Sequence, residues 1–137
     1  SLADRDKETG IETASLLTKL GFTIAATRGT ATALNAANIE VIDVIAKIGE
    51  KEGTTAIELI ESGKIRLVIN SPRGRGPRAD GDHIRKAAAE QGIPLLTTAS
   101  AGLALAKGLV DWRSHTLRVR PLQHFHRKTL TQQRLEI

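Results

Sequence analysis

Apolar and polar positions follow two alternating periods along the chain. Ile11, Ala14, Leu17 and Leu20 fall at helical spacing and predict a first helix, which Gly21 ends. A short extended run follows from Phe22 to Ala26, then an Ala-rich helix from Gly29 to Ala37. Ile39 to Ile45 is rich in β-branched residues and predicts a strand buried on both faces. Thr54 or Thr55 is placed to cap a third helix containing Ala56, Ile57, Leu59 and Ile60, with Gly63 behind it. Leu67 to Asn70 reads as the next strand, and Ser71 to Ala79 as a loop with two prolines, two glycines and three arginines. Asp80 or Asp82 opens a fourth helix through Glu90, which Gly92 closes. Pro94 precedes a strand from Leu95 to Thr98, and Ser100 is placed to cap a fifth helix running to about Lys107.

Strands and helices therefore alternate with short connections, and the strands are apolar runs. That pattern predicts an α/β fold with a parallel sheet and helices on both faces. Leu2 reads as the last residue of a first strand that the chain barely contains, so the chain is expected to begin inside a longer polypeptide. After Leu122 the periodicity is lost, and residues 123–137, with His124, His126, Arg127, Lys128 and Arg134, are expected to form a charged tail. One domain over residues 1–122 accounts for the rest.

Composition narrows the functional classes. The core must be aliphatic, because Phe22, Trp112 and Phe125 are the only aromatics. No cysteine is present, which rules out a disulfide framework and thiolate metal sites. No apolar run reaches the roughly 20 residues of a membrane-spanning helix, and the first residues lack a signal-peptide core. A net charge of +5 suits nucleic acid or a small anion. With so few aromatics a base-stacking surface is not expected, so the small anion is favoured.

In an open parallel sheet, ligands collect at the carboxyl ends of the strands, beside helix N-termini. Those positions here hold Asp4-Arg5-Asp6-Lys7, Thr27-Arg28-Gly29-Thr30, Ala46-Lys47, Asn70, Ser71, Arg73 and Arg75, and Thr97 and Thr98. Gly29 lets the backbone approach an anion, and the Thr27 and Thr30 hydroxyls and the following helix N–H groups are donors. A helix terminus alone contributes only about 0.3–1 kcal/mol, so Lys7, Lys47 and an arginine of the Arg73–Arg75 loop are assigned as its cationic support. Taken singly, each feature also fits a capped turn or a solvated surface charge; their coincidence at one sheet edge favours a phosphate cradle. No Walker or dinucleotide glycine motif occurs. Asp80, Asp82 and His83 fit a helix start better than an acid–base group, and His124-x-His126 is at most a weak metal signal.

Asp6-Lys7, Gly21-Phe22, Ala26-Thr27-Arg28-Gly29-Thr30-Ala31, Ser62-Gly63-Lys64-Ile65, Val68-Ile69-Asn70, Ile84-Arg85-Lys86-Ala87-Ala88 and Ile93-Pro94 resemble the methylglyoxal-synthase-like domain family, from Ser1 to about Leu122. The resemblance implies a three-layer α/β/α sandwich over a five-stranded, mainly parallel sheet, with the strands in chain order 3-2-1-4-5. It also implies three candidate functions. The synthase that names the family needs an aspartate before the third helix and a histidine after the fourth strand. The aspartate slot here is Gly53, and the 71–79 loop has no histidine, so enolisation lacks a base. A divergent synthase acting on dihydroxyacetone phosphate through Asp80 or Asp82 is kept as the enzymatic alternative. The cyclohydrolase branch has a Lys-Thr-Leu-His-Pro stretch that is missing here.

The third branch, the C-terminal allosteric domain of the carbamoyl-phosphate synthase large chain, matches best. Asn70-Ser71-Pro72-Arg73-Gly74-Arg75-Gly76 and Asp80-Gly81 are similar to it. That likeness implies a non-catalytic domain binding a nucleotide monophosphate (UMP or IMP), with ornithine as a further ligand. Lys7, Thr27, Gly29, Thr30, Lys47, Asn70, Ser71 and Arg75 are the implied effector residues. Lys47 matches with a one-residue shift, and Ser71-Pro72 replaces a pair of hydroxyl residues. ATP, Mg and K are implied only for synthase domains outside this chain. The implied partners are those domains and the glutaminase small chain, in the cytoplasm, with neither nucleic acid nor membrane; a homo-oligomer is the remaining alternative.

Overall fold

The computed structural model describes residues 1–46, 53–71, 79–116 and 118–124. Lys47, Arg73, Arg75 and Arg78, and residues 125–137 of the expected tail, lie outside them.

A 3-10 turn at Asp4–Asp6 runs into α1, Lys7–Lys19. Gly21 takes φ +92, its N–H reaches the Thr18 carbonyl, and the Phe22 N–H reaches that of Leu17. This paired closure requires the left-handed backbone that glycine adopts without cost. β1, Ile24–Thr27, leads directly into α2, Arg28–Ala36, and the chain returns as β2, Val41–Ile45, parallel to β1. α3, Ala56–Glu61, opens on Thr55, whose hydroxyl accepts from the Glu58 N–H while the Glu58 carboxylate accepts from the Thr55 N–H. This reciprocal pair is a capping box. β3, Val68–Ile69, and β4, Leu95–Leu96, pair in parallel around α4, Ala79–Glu90. α5, Ala99–Ser114, completes the described elements.

The α/β class and the parallel strands agree with the expectation, but the sheet differs. The described residues form two two-stranded sheets, β1 with β2 and β3 with β4, so they carry only parts of the expected order 3-2-1-4-5. The two pairings match its outer places, second strand with third and fourth with fifth. Ser1 stands in the middle: its N–H donates to the Ile69 carbonyl at 3.0 Å, and its carbonyl accepts from the Ser71 N–H at 2.9 Å. That is one rung of a parallel ladder, at the place expected for the end of the first strand.

Three further expectations are corrected. β2 is not buried on both faces: Ile42 and Val44 are 60% and 49% exposed, because this strand edges a two-stranded sheet and Ile42 lines the cleft described below. Thr98, not Ser100, caps α5, accepting from the Ala101 N–H at 3.2 Å. α5 also runs past Lys107 to Ser114, held along α1 by a Lys107–Glu12 ion pair of 2.9 Å and an Arg113 bond to the Leu20 carbonyl. Ala14, Ala26, Ala31, Leu34 and Ile39 form an aliphatic core between α1, α2 and β1.

Candidate functional site

Residues of β1 and of β3 line one cleft of about 500 Å³. Its lining includes Thr23 to Thr27 and Thr30 beside the first sheet and Ile65 to Asn70 beside the second. Three of the sequence-assigned residues, Thr27, Thr30 and Asn70, thus line one cleft. Gly29 lies in the first turn of α2, half-buried.

The hydroxyls here are tied into the N-terminal segment. Buried Thr30 accepts from the Leu2 N–H through Oγ1 at 3.0 Å, and Thr27 Oγ1 lies 3.4 Å from the same atom. Thr30 Oγ1 thus accepts from both the Leu2 N–H and the Thr27 hydroxyl, and its own proton is left for a further acceptor. Ser71, buried, donates its hydroxyl to the Asp6 carboxylate. Asn70 is half-buried and its Nδ2 faces the start of α4, where a Cβ on Gly81 would come within 3.7 Å.

Lys7 does not line the cleft. It follows Asp6 at the start of α1, and its ammonium pairs with Asp4 at 2.8 Å, the lysine side chain 30% and the aspartate 75% exposed. Such a solvent-facing pair contributes at most about 1 kcal/mol, so a phosphate dianion can compete with Asp4 for the lysine. Lys47 and Arg75 fall outside the described residues and have no place in this geometry.

The helix starts divide by chemistry. α3 and α5 begin with threonines whose hydroxyls cap their own first turns. α1 and α2 begin with Asp6 and Thr27, and neither side chain makes a capping bond. Asp6 reaches instead to Ser71, and Thr27 to Thr30. First-turn N–H groups that no side chain caps are suited to an anion. Asp6 and the Leu2 amide are the participants that sequence reasoning did not assign. An aspartate one residue before a helix reads as an ordinary cap, and nothing local shows that Ser71, 65 residues away, takes it.

Asp82 pairs with Arg85 at 3.0 Å on the exposed side of α4. His115 pairs with Asp111 at 2.9 Å near the end of α5. Among the described residues no group of three or more metal-ligating side chains converges, and no helix is long and apolar enough to cross a membrane.

Comparison with known proteins agrees with this architecture. Residues 9–97 match the family described as the MGS-like domain. The chain is 35% identical over 125 residues to the carbamoyl phosphate synthase large chain of Synechocystis sp., covering 91% of this chain and 12% of that protein. It is 39% identical over 109 residues to the carbamoyl phosphate synthase large chain, C-terminal section, of Methanocaldococcus jannaschii, covering 80% of this chain and 18% of that protein. A third relative, the large chain of Micrococcus luteus, is 38% identical over 126 residues, which is 90% of this chain and 11% of its own length. This chain therefore spans less than a fifth of each of these relatives. With the alternating parallel architecture and the match over residues 9–97, the chain belongs to the MGS-like domain family.

Proposed function

We propose that this chain is the effector-binding regulatory domain of a carbamoyl-phosphate synthase large chain. It takes the phosphate of a nucleotide monophosphate, UMP or IMP, at the carboxyl ends of β1 and β3. The observation carrying this reading is the uncapped start of α2: the Thr27 hydroxyl is turned toward Thr30 instead of capping its helix. Lys7 supplies charge from the start of α1, Gly29 allows close approach, and Asn70 and Ser71 border the site from β3. Lys47 and Arg75 are assigned to it from the sequence. In this reading the ATP-, Mg- and K-dependent chemistry belongs to the synthase domains, the glutaminase small chain is a partner of those domains, and the location is cytoplasmic.

The domain itself performs no catalysis in this proposal. Gly53, in the slot of the enzyme branch's aspartate, has φ +103, a backbone that suits glycine and strains an L-residue. Regulation asks for a coupling of about 1–3 kcal/mol between effector site and synthase.

Calorimetric titration of the chain with UMP, IMP and ornithine, repeated on Thr27→Ala, tests the reading. Binding of one nucleotide, weakened at least tenfold by the substitution, is the expected result. Unchanged affinity in Thr27→Ala would remove the cradle. Steady conversion of dihydroxyacetone phosphate to methylglyoxal would replace the regulatory reading with the enzymatic one.

A further inference from the structure

The positive charge of the chain is not spread evenly along it. From Trp112 to Leu135 there are six lysines and arginines (Arg113, Arg118, Arg120, Arg127, Lys128 and Arg134) and neither aspartate nor glutamate, a charge of +6. The other residues hold 14 lysines and arginines against 15 acids, a charge of −1. The excess of +5 therefore belongs to this one stretch. Every residue assigned to the nucleotide site lies before it, so that site leaves the excess unexplained.

The described part of the stretch starts in the last turn of α5, where Ser114, His115, Thr116, Arg118 and Arg120 line an open concavity. Two of the five are committed. The Ser114 hydroxyl donates to the Val110 carbonyl at 2.7 Å, and His115 Nδ1 lies 2.9 Å from the Asp111 carboxylate. Arg118 and Arg120 form no ion pair with any described residue. Apolar side chains stand beside these cations: Trp112, Val119 and Leu122 are 62%, 101% and 69% exposed. Charge suffices to keep a surface in water; Val119 between two arginines, and Leu122 just after them, serve no such purpose. Arginine and tryptophan are the residue types enriched in protein interfaces and their hot spots. A small anion finds no enclosed site here, since the described residues of the stretch are all exposed and salt screens exposed charges. Nucleic-acid bases stack on aromatic side chains, and Trp112 is the one aromatic of the described part.

We propose that this patch is a docking surface for an acidic protein segment, whose carboxylates meet Arg118 and Arg120 and whose aliphatic side chains cover Val119 and Leu122. The arginine fork takes a carboxylate through two parallel N–H groups. Covering the two aliphatic side chains adds apolar burial that charge alone does not provide. The partner is therefore a segment in which acids alternate with leucine-like residues. None of the patch's cations belongs to the nucleotide site, so either reading can fail without the other.

Fluorescence anisotropy of a labelled peptide, Glu-Leu-Glu-Glu-Leu-Glu-Asp-Leu-Glu, titrated with the full chain tests this. A second peptide carries serine at each leucine. The leucine peptide is expected to bind saturably and at least about fivefold more tightly than the serine peptide, and to lose at least about tenfold in affinity when NaCl is raised from 50 to 300 mM. Arg118→Glu with Arg120→Glu, both exposed and outside any helix or strand, is expected to weaken binding at least about tenfold at unchanged Tm. Arg118→Gln with Arg120→Gln, which removes the charges without reversing them, is expected to fall between that variant and the parent. No saturable binding of the leucine peptide, or equal affinity in the parent and both variants, would overturn the proposal. Tighter binding of a short thymidine oligonucleotide, or of phosphatidylserine-containing vesicles, than of the leucine peptide would also overturn it, by giving the patch to nucleic acid or to a membrane.

Discussion

Acetylation of the Ser1 nitrogen removes a charge and keeps the N–H that donates to the Ile69 carbonyl. The free ammonium is a cation whose folded-state pKa, about 6, lies below its ordinary 8.0. Below pH 6 it is protonated in both folded and unfolded chains, and folding carries the full cost of desolvating the charge. Between pH 6 and 8 the folded chain sheds the proton first, so stability rises with pH. Above pH 8 both states are neutral and the cost is gone. Two pKa units correspond to about 2.7 kcal/mol. Ser1 retains solvent exposure, so screening reduces this to roughly 1–1.5 kcal/mol. For a chain of 137 residues that is a Tm difference of about 3–6 °C. Thermal melts of acetylated and free chains at pH 5.5 and 8.5 should show this advantage at the lower pH and little of it at the higher. An advantage of equal size at both pH values would mean that burial of the acetyl group, not charge, is responsible. No advantage at pH 5.5 would refute the desolvated position of the amine.

Four other substitutions follow from packing, helix propensity and hydrogen bonding. Thr30→Val keeps the shape but leaves the buried Leu2 N–H without its acceptor, and urea unfolding should show a loss of about 1–3 kcal/mol. Two glycines of α5 should respond with opposite signs. A Cβ on Gly102 would lie 2.9 Å from Ile69 Cδ1, so Gly102→Ala should cost about 1–2 kcal/mol. Gly108 has open space, and Gly108→Ala should add up to about 1 kcal/mol by helix propensity, both read from denaturant midpoints. Thr55→Ala removes the hydroxyl of the α3 capping box and should cost about 1 kcal/mol. The Thr55 N–H, and then its hydroxyl, hold the Glu58 carboxyl below its ordinary pKa. The hydroxyl's share of that stabilisation is present above the ordinary glutamate range and disappears as pH falls through the lowered value, so the stability gap between wild type and Thr55→Ala should narrow at low pH to what the Glu58 N–H bond contributes.

The local rules carried the element order well, because they rest on neighbours in sequence. Gly21, Gly63 and Gly92 each adopt positive φ, at +92, +71 and +63, just beyond the helices they were expected to end. Thr55 caps as one of two offered positions. The failures come from contacts between distant segments. The end of α5 was misplaced because helices continue where packing supports them, here against α1. β2 read as fully covered because its composition suits a central strand, whereas coverage depends on which neighbours are present. At the site, the glycine and hydroxyl pattern around Thr27 was legible. The use of Asp6 by Ser71 and of Thr30 by the Leu2 amide was not, since both join residues more than 25 positions apart.

The contact between α1 and α5 has a consequence for biosynthesis. Glu12 meets Lys107, and Leu20 meets Arg113, so elements near opposite ends of the chain lock together only after nearly all of it has been made. A nascent chain on the ribosome can assemble α2 and its flanking strands early, but α1 must wait for its late companion. Such long-range closure slows folding relative to local contacts, and a translation pause before α5 would leave the apolar side of α1 available to chaperones.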